Sequence, residues 1–167
     1  MSQHQHTISV LVENKFGVLS RVSGLFSGRG YNIESLTVSP TNDPTISKMT
    51  IVTTGDDAII EQVDKQLNKL IDVITVVDLS SREFIEREVL LAKIRIKSIT
   101  RSELIELVEI FEGKIVSVHE GELGVELTGR SQKIDDFIKM LPSSDIIDFS
   151  RSGRVAISRR PGATAIF

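Results

Sequence analysis

The stretch of this sequence best equipped for chemistry is Glu13-Asn14-Lys15-Phe16-Gly17-Val18-Leu19-Ser20-Arg21. Residue spacing predicts a strand before it and a helix after it, so the stretch turns the chain into a helix start. Amides near Gly17, Val18 and Leu19 then point outward and can hydrogen-bond a carboxylate. Gly17 lets a ligand approach the backbone closely, and Asn14 can accept from an ammonium and donate to a carboxylate. These are the groups that recognise a free amino acid. The same residues also suit a plain structural role, in which Asn14 caps the helix and Gly17 makes the turn.

Catalytic constellations are not found. The histidines are His4, His6 and His119. The first two fall in a polar terminus expected to be loosely held, and His119 is expected on the surface at a strand end. A metal site needs three or four fixed ligands. The absence of cysteine removes disulfides, thiolate zinc sites and a cysteine nucleophile. Gly28-Arg29-Gly30 opens like a dinucleotide fingerprint, but it ends a helix and no third glycine follows at the required spacing. Neither a phosphate loop nor a Gly-x-Ser-x-Gly elbow occurs. Asp56-Asp57 and Asp135-Asp136 are predicted in first helical turns, where the helix dipole explains them. No catalytic residue and no metal ligand is assigned.

With 167 residues, 40% hydrophobic and 26% charged, the chain can bury the core of one ordinary domain or two small ones. A net charge of −3 gives no basic face for nucleic acid. No apolar run reaches the roughly 20 residues that span a bilayer, and the first residues lack the apolar core of a signal peptide. No membrane association and a cytoplasmic location are therefore expected. Arg151, Arg154, Arg159 and Arg160 follow the last acid, Asp148, and read either as a solvated basic terminus or as a docking segment.

The elements that must hold the Asn14 turn appear twice. Thr7 to Glu13 predicts a strand, and Val18, Leu19, Val22, Leu25 and Phe26 recur at helical spacing until Gly28 and Gly30. Extended runs follow at Asn32 to Ser39 and Met49 to Thr53, then a helix opened by Gly55-Asp56-Asp57 and a strand from Val73 to Leu79. After Ser80-Ser81 the order repeats. Val89 to Ile96 alternates as a strand, and Thr100-Arg101-Ser102-Glu103 spells a capping box. Lys114 to His119 and Val125 to Thr128 form a hairpin around Gly121, Ser131 is expected to cap a helix, and Ile146 to Phe149 with Arg154 to Ile157 supply the last extended segment. Each half is β-α-β-β-α-β. The fold class is α+β, two ferredoxin-like domains at residues 1–80 and 81–167. Uncovered sheet surface favours a dimer over the alternative, a monomer whose two domains pack on each other.

A specific resemblance is carried by Gly24-Leu25-Phe26, Arg29-Gly30-Tyr31-Asn32-Ile33-Glu34-Ser35-Leu36, Pro40-Thr41, Asp43-Pro44 and Ser47-Lys48-Met49-Thr50. It continues through Glu86 to Leu91, Ile110 to Ile115 and Ser150-Arg151-Ser152-Gly153. The chain resembles the regulatory small subunits of acetohydroxyacid synthase (acetolactate synthase), with an amino-terminal ACT domain. The resemblance implies a homodimer that binds valine, or a related branched-chain amino acid, where ACT domains meet. By position, Asn14, Gly17, Val18 and Leu19 hold the ligand's polar groups, and Asn32 and Ile33 come from the other chain. It further implies activation and valine feedback inhibition of a catalytic large subunit. Thiamin diphosphate, magnesium and FAD would belong to that partner, with no cofactor in this chain. Two rivals are a stand-alone transcription regulator, for which no helix-turn-helix is visible, and an independent small enzyme, for which no constellation is found.

Overall fold

Alternation decides the first strand. In β1 (His4–Glu13) Ile8, Val10 and Val12 are buried on one face, where they meet Val18, Val22, Leu25 and Phe26 of α1 (Val18–Ser27). A strand's period of two and a helix's of about 3.6 thus supply complementary apolar surfaces. The chain continues through β2 (Ile33–Pro40), β3 (Ile46–Gly55), α2 (Asp57–Leu67) and β4 (Val73–Asp78). The strands pair antiparallel in the order β2-β3-β1-β4, which leaves β2 and β4 at the edges. Asp56 starts α2 by accepting from the Ile59 amide at 2.9 Å.

The pattern recurs in β5 (Phe84–Arg95), α3 (Arg101–Ile110), β6 (Lys114–His119), β7 (Glu122–Gly129), α4 (Ser131–Met140) and β8 (Ile146–Arg151), in the order β6-β7-β5-β8. Its core joins Leu90 and Ile94 of β5 with Leu104 and Val108 of α3 and Ile134 and Phe137 of α4. Phe111 meets Phe137 edge-on, with ring centroids 5.4 Å apart. Thr100 and Glu103 form the expected capping box, and the Thr100 hydroxyl and amide hold the Glu103 carboxyl below its ordinary range. Both sheets have the ferredoxin-like β-α-β-β-α-β order.

The computed structural model describes residues 4–159. They divide into two compact units: one runs through Ile85 and takes in the residues from Arg154 onward, and the other is Glu86–Gly153. The last strand, β9 (Val155–Ser158), therefore lies in the first unit, where the Arg159 amide donates to the Glu83 carbonyl at 3.0 Å.

Four expectations need correction. His4 and His6 do not lie in a loose terminus but extend β1, opposite Gly55 and Thr53. His6 is buried, with Nδ1 3.7 Å from Asp78 Oδ2. Ser131 is the first residue of α4 rather than its cap; Arg130 occupies the cap position without a side-chain hydrogen bond. Asp135 and Asp136 sit beyond the first turn, and Asp135 binds Arg151. The basic tail is not simply solvated, because Arg151 is paired and Arg154 is buried. Arg160 and the segment Pro161 to Phe167 lie outside the described residues.

Candidate functional site

Gly17 stands at the start of α1 with φ at 81°, a left-handed conformation that L side chains adopt at a cost of about 1–2 kcal/mol. A Cβ there would also meet Arg21 Nη1 at 3.1 Å. No side chain caps α1, so Asn14 is not its cap. Asn14 instead donates through Nδ2 to the Pro44 carbonyl at 2.8 Å, while its amide donates to the Thr45 carbonyl at 2.7 Å. These two bonds fasten the turn to the β2–β3 connection. Val18 turns its side chain into the core and can offer a ligand only its backbone, whereas Leu19 is exposed. Phe16, at the tip, is fully exposed.

Arg21, the last residue of the stretch that begins at Glu13, and Asp72, which the sequence reading did not single out, brace this turn. Arg21 Nε donates to Asp72 Oδ2 at 2.8 Å, and the Asp72 carbonyl accepts from the Glu13 amide at 2.8 Å. Asp72 thereby joins the end of β1 to the first helix. Its position just before β4 carries no sequence signal of that role.

The other expected residues lie elsewhere. Asn32 is exposed, and its carbonyl accepts from the Thr53 hydroxyl at 2.6 Å. Ile33 is half-buried against the core and pairs with Thr53, which pairs in turn with His6. Asn32 and Ile33 thus sit at the end of the sheet where β1 begins, and Asn14 follows the end where β1 finishes. At about 3.3 Å per residue, the run from His6 to Asn14 is about 26 Å. Within one chain, the structure brings Asn14, Gly17, Val18 and Leu19 together and keeps Asn32 and Ile33 apart from them.

The second unit provides an internal comparison. There the residue before β8 is Asp145, whose carbonyl accepts from the Arg95 amide at 2.7 Å, matching Asp72 and Glu13. Its buried carboxylate, however, accepts from the amides of Ser98 and Ile99 at 2.7 and 3.0 Å. Those amides belong to the β5–α3 turn, the counterpart of the Asn14–Gly17 turn. The second unit closes its turn with a carboxylate of its own and a capping box, and the first leaves the start of α1 uncapped. A helix start of that kind suits an anion. Among the described residues no cluster of three or more His, Asp or Glu suited to a metal occurs, and no helix is long and apolar enough to cross a membrane.

Two ferredoxin-like units, one of which leaves its first helix uncapped, make up the described chain. Residues 8–75 match the family described as an AHAS small subunit-like ACT domain, and residues 87–160 match the family described as the small subunit of acetolactate synthase. The chain is 50% identical over 153 residues to the acetolactate synthase small subunit of Haemophilus influenzae, covering 91% of this chain and 94% of that one. It is 49% identical to the acetolactate synthase isozyme 3 small subunit of Escherichia coli, with the same shares covered. The crystal structure of the small subunit from Thermotoga maritima superposes with a TM-score of 0.85 at 39% identity, over 94% of this chain and 98% of that one. The chain belongs to the acetolactate synthase small-subunit family. Its role is regulatory, in branched-chain amino acid biosynthesis.

Proposed function

We propose that this chain forms a homodimer that binds valine between the Asn14–Leu19 turn of one protomer and Asn32–Ile33 of the other, and through it restrains a catalytic large subunit that the dimer otherwise activates. The observation that carries this reading is the separation of the two halves of the site. A molecule as small as valine cannot reach both ends of one sheet, so a ligand touching both sets needs a second chain. The edge strand β2 offers the means. Antiparallel pairing of two β2 edges sets the leading end of one strand beside the trailing end of the other, and Pro40 at the trailing end lies on the Asn14 side of the sheet.

In that arrangement the amides at the start of α1 receive the ligand's carboxylate and Asn14 Oδ1 receives its ammonium. The thiamin diphosphate, magnesium and FAD of acetolactate formation would reside in the large subunit, which joins two molecules of pyruvate, or pyruvate and 2-oxobutyrate, with release of carbon dioxide. Valine acts by favouring a dimer geometry that activates less, since a ligand shifts an equilibrium only through differential affinity. A coupling of about 1–3 kcal/mol changes the linked affinity about 5- to 150-fold.

Sedimentation of the purified chain with a calorimetric valine titration tests the shared site. A dimer that takes up valine, with leucine and isoleucine weaker, is expected. A monomer that binds valine just as tightly contradicts it.

A further inference from the structure

Arg154 follows the second unit in sequence yet is built into the first. Its amide donates to Ser35 Oγ at 3.0 Å, and its carbonyl accepts from Thr37 Oγ1 at 2.8 Å. Its guanidinium donates to Thr7 Oγ1 at 2.6 Å and to Gln5 Oε1 at 2.8 Å. One buried residue thus clasps the edge strand β2 with its backbone and β1 with its side chain.

The clasp falls at a weak point of the sheet. Among the described residues β2 pairs within the sheet with β3 alone, and the register between them shifts between Ile33 and Ser35. Edge strands with irregular pairing hold their ends less firmly than central ones. Gln5 extends the network, since its Nε2 donates to Glu34 Oε2 at 2.6 Å, and the Thr54 hydroxyl donates to the same carboxylate. The Thr54 and Gln5 hydrogen bonds, with the nearby charge of Arg154, hold the Glu34 carboxyl below its ordinary range. Glu34 directly follows Asn32 and Ile33, so everything that fixes Arg154 also fixes the leading end of β2.

We propose that Arg154 is a positioning residue of the effector site, holding Asn32 and Ile33 in place through β2, so that effector affinity depends on a residue the chain reaches only after completing its second unit. This rests on the valine-binding reading above. A guanidinium suits the task because its fixed fork serves two acceptors at once, which a lysine ammonium on a flexible stem does less well.

The test compares the full-length chain with Arg154→Met, Arg154→Lys and Gln5→Leu by calorimetric titration with valine and by hydrogen exchange of the β2 amides. Arg154→Met is expected to weaken valine binding about tenfold or more and to speed exchange from residue 33 to residue 38. Arg154→Lys should fall between it and the wild type. Gln5 is exposed, so Gln5→Leu keeps the comparison intact if Arg154→Met fails to fold, and a loss of about threefold is expected. Wild-type binding of valine with unchanged affinity in these variants overturns the assignment, even if their unfolding midpoints drop. Failure of the wild type itself to bind valine, leucine or isoleucine overturns the effector reading first, and this inference with it.

Discussion

Asp72 and Asp145 occupy the same place in the two units and use their carboxylates in opposite ways. Each precedes the last strand of its βαββαβ motif, and each carbonyl accepts from the final residue of that unit's first strand. The Asp145 carboxylate turns onto the amides of Ser98 and Ile99, whereas that of Asp72 takes Arg21. A turn filled from within has no room for a ligand's carboxylate. The difference leaves the turn at the start of α1 uncapped and closes its counterpart in the second unit.

Gly17→Asp should end the response to valine, because it forces a side chain into left-handed backbone and sets a carboxylate against the ligand's own. Asn14→Ala should weaken binding at least tenfold by removing the acceptor for the ammonium, a loss of about 1.4 kcal/mol. Calorimetric titration, with circular dichroism to check folding, measures both. Undiminished binding in either variant contradicts the placement of the ligand.

Asp72→Ala separates bracing from stability. The Asp72 side chain is only 10% exposed but that of Arg21 is half exposed, so Asp72→Ala removes the buried charge and leaves the guanidinium to water, at a cost to folding of about 1 kcal/mol. The valine dissociation constant should nevertheless rise several-fold as the turn loosens, with a urea midpoint close to that of the wild type. A large fall in the midpoint with unchanged valine affinity is the contrary result.

Asp145 gives the second unit a predictable acid response. Burial pushes its carboxyl up, but the amides of Ile99 and Ser98 and the hydroxyls of Ser98 and Ser144 outweigh this and leave it below the usual range. A group whose pKa is lowered by folding stabilises the fold above its unfolded value, about 3.9, and that contribution is lost as pH falls through the folded value. Urea midpoints measured from pH 7 downward should therefore drop below about pH 4. Asp145→Asn should lower the midpoint at neutral pH and flatten that acid drop.

Arg151 forks onto Glu88 with Nε–Oε1 at 2.6 Å and Nη2–Oε2 at 2.9 Å, and also reaches Asp135 at 2.7 Å. The Glu88 side chain is only 5% exposed, so Arg151→Leu strips the guanidinium from a buried carboxylate. A destabilisation of about 3 kcal/mol is expected in urea unfolding. A change below about 1 kcal/mol would place the pair with ordinary surface ion pairs.

Much of the fold was legible because its signals are local. The spacing of Val18, Val22, Leu25 and Phe26, the Thr100–Glu103 capping box and the glycine turns each specify their own element. The Gly17 turn was legible for the same reason. Asp72, Asp145 and Arg154 were not, since each acts on residues dozens of positions away and a lone Asp or Arg carries no period. Arg154 was masked further by its neighbours, because four arginines after the last acid look like a solvated tail. His6 was misplaced for a related reason: a polar terminus hides a strand whose partner, Thr53, lies far along the chain.

The most direct measurement is acetolactate formation by the catalytic large subunit from the same source, with and without this chain, while valine is titrated. The chain is expected to raise the rate and valine to reverse the gain, with Gly17→Asp abolishing the reversal. A rate that this chain leaves unchanged, or a gain that valine, leucine and isoleucine all fail to reverse, would contradict that expectation.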